Sequence, residues 1–276
     1  MFLSLALFFF VFGVAIGSFL NVVILRYNTG RGLDGRSQCF SCGKKLQWFE
    51  LMPVVSFLYQ KGKCSECGSK ISWQYPLVEL LTGIVFVAVY WKLYPYIFLA
   101  FSSFIVSYII TVLIFCILIV IFVYDLRHKI IPDGLSLALA LLGLINLCIS
   151  LVPLSLKVPS LSALVAGPLL FLPFAILWFV SKGTWMGFGD AKLAFGMGLI
   201  LGIMGGLSAI ILAFWIGAVI SVGLLVIQKI HLSLGGRHLT MKSEIPFAPF
   251  LIIGFSLVFF FHITIPGISN LAYLSF

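Results

Sequence analysis

Residues 105–124 read IVSYIITVLIFCILIVIFVY, a run without a charged side chain that ends directly before Asp125. A helix needs about 20 apolar residues to cross the hydrocarbon core of a bilayer. Similar runs recur along the 276-residue chain, which is 62% hydrophobic and only 9% charged. Soluble domains carry about 25% charged residues. The sequence therefore predicts an all-α polytopic membrane protein and excludes a water-soluble one.

The apolar runs divide into about eight transmembrane helices. We expect these helices over residues 2–25, 77–91, 97–124, 135–152, 160–181, 190–204, 207–228 and 247–275. The division between the sixth and seventh rests on Gly205-Gly206, and seven spans is the alternative count. The first run has neither a basic amino-terminal segment nor a clear cleavage site, so we interpret it as a retained span.

The basic residues segregate between the loops of this arrangement. Of the 17 lysine and arginine residues, two fall in the even-numbered loops, Lys92 and Lys157. Loops rich in lysine and arginine stay in the cytoplasm, so the odd-numbered loops are predicted to be cytoplasmic and both termini to lie outside. All the acidic residues fall on the same cytoplasmic side. Topology thus explains the net charge of +9, and no nucleic-acid-binding motif accompanies it, so we expect no nucleic-acid partner.

One sizeable polar segment, residues 27–75, lies between the first span (1–26) and a membrane core over 76–276. It contains two Cys-x-x-Cys pairs, each followed by glycine: Cys39, Cys42, Cys64 and Cys67. Two such pairs are typical of a structural, tetrahedral zinc site. The metal would stabilise a loop that is too small to form a core of its own. Two disulfides are the alternative, which a reducing cytoplasm disfavours.

Two aspartates lie at the edges of predicted spans. Asp125 ends the third span, and Asp190 opens the sixth after Gly187-Phe188-Gly189. Ionisable groups at membrane depth are costly and are candidates for function. Two neighbouring carboxylates can share a proton, so that one acts as base and the other as acid on a water that attacks a peptide carbonyl. The alternative is structural, with Asp190 as a helix N-terminal acid and Asp125 paired with Arg127 or Lys129.

These segments resemble a known family. Gly187-Phe188-Gly189-Asp190 is similar to the G-x-G-D signature of bacterial type IV prepilin peptidases. Asp125 to Asp133 resembles their first catalytic segment, D-x-x-x-x-x-I-P-D. Further segments match the family's motifs in the expected order, at Gly17–Val23, the two cysteine pairs, Tyr75–Glu79 and Glu244–Phe250. The resemblance therefore covers nearly the whole chain.

The resemblance implies an intramembrane aspartyl endopeptidase of the bacterial inner membrane, with Asp125 and Asp190 as the catalytic pair. We expect supporting roles for Gly187, Gly189, Asp133 and Lys192, although Asp133 after Pro132 also fits a turn or helix N-cap. The implied substrates are prepilins and type II secretion pseudopilins, which lose a short basic leader at the cytoplasmic face. The cysteine loop marks the branch of the family that also methylates the new amino terminus with S-adenosylmethionine.

The remaining acids of the loop predict a role in substrate binding. Asp34, Glu50 and Glu66 lie in the loop of residues 27–75, and we expect their negative charges to help hold the basic leader. No nucleotide-binding motif identifies a site for S-adenosylmethionine, and no motif indicates the oligomeric state. The alternative functions are a non-enzymatic assembly factor with a zinc docking loop and a proton-coupled transporter. The assembly factor leaves two aspartates in segments that resemble one family unexplained. A transporter is disfavoured because the sequence shows no inverted repeat and its acids lie at one membrane edge and not at the midplane.

Overall fold

The computed structural model describes residues 2–29, 32, 35–151, 154–232 and 246–264. Asp34, Glu244 and the end of the eighth predicted span lie outside these residues. The chain divides into two compact units, Met1–Val120 and Ile121–Phe276.

The first unit is built on two apolar helices. Its elements are α1 (Phe2–Arg26), a 3-10 turn (Trp48–Leu51), α2 (Val55–Tyr59), α3 (Gln74–Leu93), α4 (Pro95–Leu99) and the part of α5 (Phe101–His128) up to Val120. Helices α1 and α3 pack together, and a Cβ atom added at Gly17 would lie 2.7 Å from the Cα of Glu79. Small residues commonly permit such close approach between membrane helices.

The second unit packs around one long helical segment. Its elements are the end of α5, α6 (Asp133–Cys148), β1 (Ile149–Leu151), β2 (Leu154–Leu156), α7 (Leu161–Ser181), α8 (Phe188–Leu232) and α9 (Ala248–Phe261). Helix α8 packs against α6, α7 and α9. Gly198 of α8 allows this approach, since a Cβ atom there would lie 2.6 Å from the carbonyl oxygen of Ala166 in α7. The two strands pair antiparallel, with Ile149 opposite Leu156.

The described residues contain five helices that are long and apolar enough to cross a membrane. These helices are Leu3–Arg26, Gln74–Leu93, Phe101–His128, Leu161–Ser181 and Phe188–Leu224. The predicted class, a helical polytopic membrane protein, is therefore confirmed. The fourth predicted span, 135–152, is shorter than expected, because α6 ends at Cys148 where the hairpin begins.

The predicted break between the sixth and seventh spans lies at a different glycine. Helix α8 is interrupted at Gly202, whose φ of 72° and ψ of −178° are non-helical, and not at Gly205-Gly206. Such dihedral angles are essentially restricted to glycine. Because α6 and α9 are only 16 and 14 residues long, the count of eight spans stays a prediction.

Candidate active site

Asp125 lies in the last turn of α5, and one of its two carboxylate oxygens, Oδ2, has no hydrogen-bond partner among the described residues. The residue is only 5% exposed. Its carboxylate accepts a hydrogen bond from the backbone N–H of Ala248, the first residue of α9, while its Oδ2 is buried. The first N–H groups of a helix lack partners within the helix, so a carboxylate is a natural acceptor for them. The start of α9 thereby orients Asp125.

Asp190 is the third residue of α8 and is also buried, with 7% exposure. Its side chain accepts a hydrogen bond from the backbone N–H of Gly187, and its own N–H donates to the Gly187 carbonyl at 3.2 Å. An acid at this helix position that reaches back to the N-cap N–H is half of a capping box. The Gly-x-Gly-Asp segment therefore fixes the orientation of its own aspartate.

The structure brings the two aspartates together within the second unit. Their carboxyl groups are close enough to interact electrostatically. The sequence places them 65 positions apart, at the end of α5 and the start of α8. Two buried carboxyl groups in this relation are suited to holding one proton between them.

The two glycines before Asp190 differ in what surrounds them. A Cβ atom at Gly189 would lie 2.8 Å from the Cβ of Ile131, which is closer than real side chains approach. The nearest atom to a Cβ at Gly187 would be the Oδ2 of Asp190 at 3.7 Å, an ordinary contact. Gly189 therefore allows the start of α8 to pack directly on the segment between Asp125 and α6.

Asp133 and Lys192 form an ion pair that joins α6 to α8. The Nζ of Lys192 lies 2.6 Å from the Oδ1 of Asp133 and 5.0 Å from the centre of the Phe188 ring. The N-cap of α6 is Pro132, so Asp133 is the first residue of the helix, and the expectation of an N-cap was one residue off. Sequence reasoning named both residues as supporting but had no signal for their direct contact.

The four cysteines of the polar segment come together in the first unit. The Sγ atoms of Cys39, Cys42, Cys64 and Cys67 all lie within 4.8 Å of one another, so the cluster could hold a metal ion. In each pair the glycine after the second cysteine donates its N–H to the carbonyl of the first cysteine, at 2.9 Å for Gly43 and 3.0 Å for Gly68. Both glycines have positive φ, 73° and 69°, a conformation that glycine adopts without strain.

The chemistry of this cluster fits a thiophilic metal. Thiolates are the metal-binding form of cysteine. Hydrogen bonds, chiefly from the backbone N–H of Cys42, lower the pKa of Cys39 to about 6, and hydrogen bonding with Ser69 lowers the pKa of Cys67. Burial and the neighbouring thiols raise the pKa of Cys42 to about 12, so a positive metal ion would be needed to hold all four as thiolates. Four sulfur ligands at mutually short distances are the donor set that tetrahedral zinc prefers.

Glu50 links the two cysteine pairs. Its carboxylate accepts hydrogen bonds from the backbone N–H of Gln47 at 2.9 Å, from the hydroxyl of Ser65 and from the Nζ of Lys44 at 3.0 Å. Lys44 follows the first pair and Ser65 lies within the second. The side chain of Glu50 is only 2% exposed, so its placement favours a structural role over leader binding. Glu66, by contrast, is exposed.

Besides Glu50, the first unit has a second buried acid, Glu79, which lies in α3. It is 5% exposed and accepts a hydrogen bond from the backbone N–H of Val54 at 2.7 Å. Val54 has a φ of 59°, which is unfavourable for a β-branched residue. The hydrogen bond therefore stabilises a strained turn of the polar segment against α3. The motif Tyr75–Glu79 was the only sequence signal for this contact.

The second unit thus carries a buried aspartate pair, and the first carries a four-cysteine cluster, in a protein of several membrane-spanning helices. These features define a multi-pass membrane protein of the aspartate-pair peptidase class. Residues 11–93 match the family model described as the bacterial peptidase A24 N-terminal domain, and residues 112–222 match that of the type IV leader peptidase family.

Curated relatives agree with these matches. The chain is 32% identical to the prepilin leader peptidase/N-methyltransferase of Xanthomonas campestris pv. campestris, over 90% of the chain and 88% of that protein. It is 32% identical to the protein of the same name from Neisseria gonorrhoeae, over 82% of the chain and 84% of that protein. It is 30% identical to that from Aeromonas salmonicida, over 88% of the chain and 86% of that protein. No solved structure matches the chain. The chain belongs to the type IV leader peptidase family, as its motifs predicted.

Proposed function

We propose that this protein is an aspartyl endopeptidase that removes the short basic leader from type IV prepilins or pseudopilins. The buried, interacting pair of Asp125 and Asp190 is the observation that carries this proposal. The name shared by the relatives, prepilin leader peptidase/N-methyltransferase, supports the choice of substrate. A non-enzymatic assembly factor is not favoured, because it leaves the aspartate pair without a role.

In the proposed mechanism the two carboxyl groups act on one water molecule. One carboxylate takes a proton from the water while the water oxygen attacks the scissile carbonyl carbon, and the protonated partner donates its proton to the carbonyl oxygen. In the collapse of the tetrahedral intermediate, a hydroxyl proton returns to the partner carboxylate, the C–N bond breaks, and the first carboxyl group gives the proton that it took from water to the leaving amine. The buried Oδ2 of Asp125 has no partner among the described residues and is therefore suited to holding the water.

We place the reaction at the cytoplasmic face of the bacterial inner membrane, with both termini outside. The distribution of basic residues supports this orientation. Asp125 and Asp190 lie at the ends of their helices, α5 and α8, and not at the midpoints. A scissile bond at the cytoplasmic end of a pilin's apolar helix would therefore meet them at the membrane edge.

We propose that the four-cysteine cluster holds a structural zinc ion. Cys39, Cys42, Cys64 and Cys67 would fill all four positions of a tetrahedral site, which leaves none for catalysis. The ion would contribute folding energy to the polar segment. We further propose that the protein methylates the new amino terminus with S-adenosylmethionine, a role supported by the names of the relatives and by the match to the N-terminal domain. Glu66 and Asp34 remain our candidates for binding the leader.

The test is cleavage of a prepilin by purified protein, followed by mass spectrometry of the product. We expect wild type to remove the leader and, with S-adenosylmethionine, to add one methyl group to the new amino terminus. Asp125→Asn and Asp190→Asn should each remain folded, as judged by circular dichroism, and lose cleavage. Retention of cleavage by either folded variant would show that the aspartate is structural and would refute the mechanism.

A further inference from the structure

An open pocket of about 440 Å³ lies in the first unit beside the second cysteine pair. Its lining includes three lysines and two aromatic residues, although most of the lining surface is apolar. The lining residues are Phe57, Leu58, Lys61, Gly62, Lys63, Lys70, Ile71 and Trp73. No acidic side chain is among these lining residues. Neither the leader-cleavage chemistry nor the cysteine cluster uses this pocket.

Two of the three lysines are held next to each other by backbone pairing. Lys63 and Lys70 are directly opposite in an antiparallel bridge, and like charges in such a pair repel each other. None of the three lysines forms an ion pair with any residue in the described part of the chain. Lys61 also has a φ of 50°, a conformation that is uncommon for residues with a side chain. A bound anion would offset this concentration of positive charge.

The first cysteine pair provides an internal comparison. There the corresponding antiparallel bridge joins Gln38 to Lys45, so one of the two facing positions is neutral. The zinc-binding pattern therefore does not require two lysines in this position. The second lysine is a feature of the pocket and not of the metal site.

The aromatic part of the pocket lies where a membrane span begins. The rings of Phe57 and Trp73 are in contact, with centroids 4.8 Å apart. Phe57 is 7% exposed whereas Trp73 is 68% exposed, and Trp73 immediately precedes α3, which is long and apolar enough to cross a membrane. Tryptophan is enriched at the level of lipid headgroups. Leu58, at the edge of the pocket, is 66% exposed.

We propose that this pocket binds the phosphate group of an anionic phospholipid headgroup. Lysine binds phosphate as a point charge, and basic pockets beside membrane helices recognise anionic headgroups. The exposed indole of Trp73 and side chain of Leu58 would contact the region between headgroup and acyl chains. S-adenosylmethionine is a poorer match, since its sulfonium and ammonium groups give it a net positive charge.

The test is native mass spectrometry of the full-length protein with phosphatidylglycerol or phosphatidylcholine. We expect one phosphatidylglycerol to bind more tightly than phosphatidylcholine. A lysine near the membrane surface contributes an affinity factor of about 5, so Lys63→Gln and Lys70→Gln together should weaken binding about 25-fold. The matched control, Lys45→Gln, removes the equivalent charge of the first cysteine pair and should change binding by less than about twofold.

Zinc content and melting temperature establish that the variants are folded. If the Lys63→Gln/Lys70→Gln double variant is not folded, Lys61→Gln is tested in its place. Unchanged phosphatidylglycerol binding in a folded pocket variant, or an equal loss in Lys45→Gln, would overturn the proposal. Displacement of the lipid by equimolar inorganic phosphate would show a soluble phosphate ligand and exclude the lipid. Binding of S-adenosylmethionine that the pocket substitutions abolish, without an effect on the lipid, would also refute it.

Discussion

At the scale of single residues, the Gly-Phe-Gly-Asp segment has two glycines with different steric environments. Only Gly189 lies where a Cβ atom would overlap Ile131, at 2.8 Å. A side chain at this position must push the start of α8 away from the segment that follows Asp125. In the proposed mechanism both carboxyl groups act on one water molecule, so a shift of about 1 Å between them should lower the rate on the order of 100-fold.

We therefore predict that Gly189→Ala reduces kcat for leader cleavage by about 100-fold. Gly187→Ala is the matched control, because its added methyl group would make only an ordinary contact at 3.7 Å, and it should lose much less activity. The measurement is kcat for both folded variants on one prepilin. Equal losses in the two variants would contradict the steric argument.

Glu50 leads to a prediction about the stability of the cysteine loop. Removing its negative charge leaves the Lys44 and Ser65 donors with a weaker acceptor, at a cost of about 1–3 kcal/mol. We predict that Glu50→Gln increases hydrogen exchange across residues 39–70, whereas Glu66→Gln, at an exposed position, has little effect. An equal effect of both substitutions would contradict a special role for Glu50.

The difference between wild type and Glu50→Gln should depend on pH. Hydrogen bonds, chiefly from the backbone N–H of Gln47, lower the pKa of Glu50 from 4.5 to about 2. A lowered pKa in the folded state means that the stabilisation is complete above the unfolded value. The difference in hydrogen exchange between wild type and Glu50→Gln should therefore be largest above pH 4.5 and should disappear as the pH falls towards 2. A difference that is constant over this range would contradict the assignment.

The sequence singled out the two aspartates and the four cysteines that the structure brings together, because each belongs to a short motif with fixed spacing. Sequence reasoning assigned Glu50 to leader binding, because negative charges gathered at the cytoplasmic face can attract a basic leader. The side chains that donate hydrogen bonds to Glu50 are distant in sequence, Lys44 by 6 positions and Ser65 by 15. Local sequence patterns do not indicate such contacts. The same limit applies to the Ala248 N–H that orients Asp125.

At the scale of elements, the break in α8 shows how composition alone misplaces a helix boundary. Gly205-Gly206 is the more conspicuous pair in the sequence, yet both residues remain helical. A Cβ atom at Gly206 would overlap the side chain of Leu170, so that glycine serves packing against α7. Gly202 has open space around it but a φ of 72°. A sequence does not distinguish a glycine required for close packing from a glycine required for its backbone conformation.

We predict that Gly202→Ala destabilises the protein because alanine does not tolerate this backbone conformation, with a cost of about 1–3 kcal/mol. Gly223→Ala is the control, since Gly223 is helical and nothing lies within 4 Å of its added Cβ. Alanine there should be neutral or stabilising by about 1 kcal/mol, the difference in helix propensity. The measurement is the melting temperature in one detergent. A stable Gly202→Ala variant would show that the break is not required.

At the scale of the whole molecule, the class of protein followed from composition and the length of its apolar runs. The number of spans could not be fixed in the same way, because α6 and the described part of α9 are shorter than a full membrane crossing. An apolar run ends at a polar residue, whereas a helix ends where its backbone hydrogen bonds end. At Ile149–Leu151 the chain remains largely apolar but changes from helix to strand.

The four cysteines lie in the first unit, and the two aspartates with the groups that orient them, Gly187 and Ala248, lie in the second. We predict that Cys42→Ser and Cys67→Ser lose bound zinc and increase hydrogen exchange over residues 39–70. The kcat for cleavage should be retained, since every contact described for the aspartates lies in the second unit, whereas KM should rise if Glu66 of the loosened loop binds the leader. The control is Cys148→Ser, which removes a thiol outside the cluster and should keep the metal.

Metal content by elemental analysis, hydrogen exchange and leader cleavage are measured on the same preparations. Loss of metal with full protection of residues 39–70 would show that the ion does not stabilise the polar segment. Loss of cleavage, in a variant whose second unit keeps wild-type hydrogen exchange, would show that the zinc loop takes part in the cut. In that case the loop acts in the cleavage step itself and not only in leader binding. Charge reversal of its exposed acid, Glu66, with KM and kcat as readouts, separates the two roles.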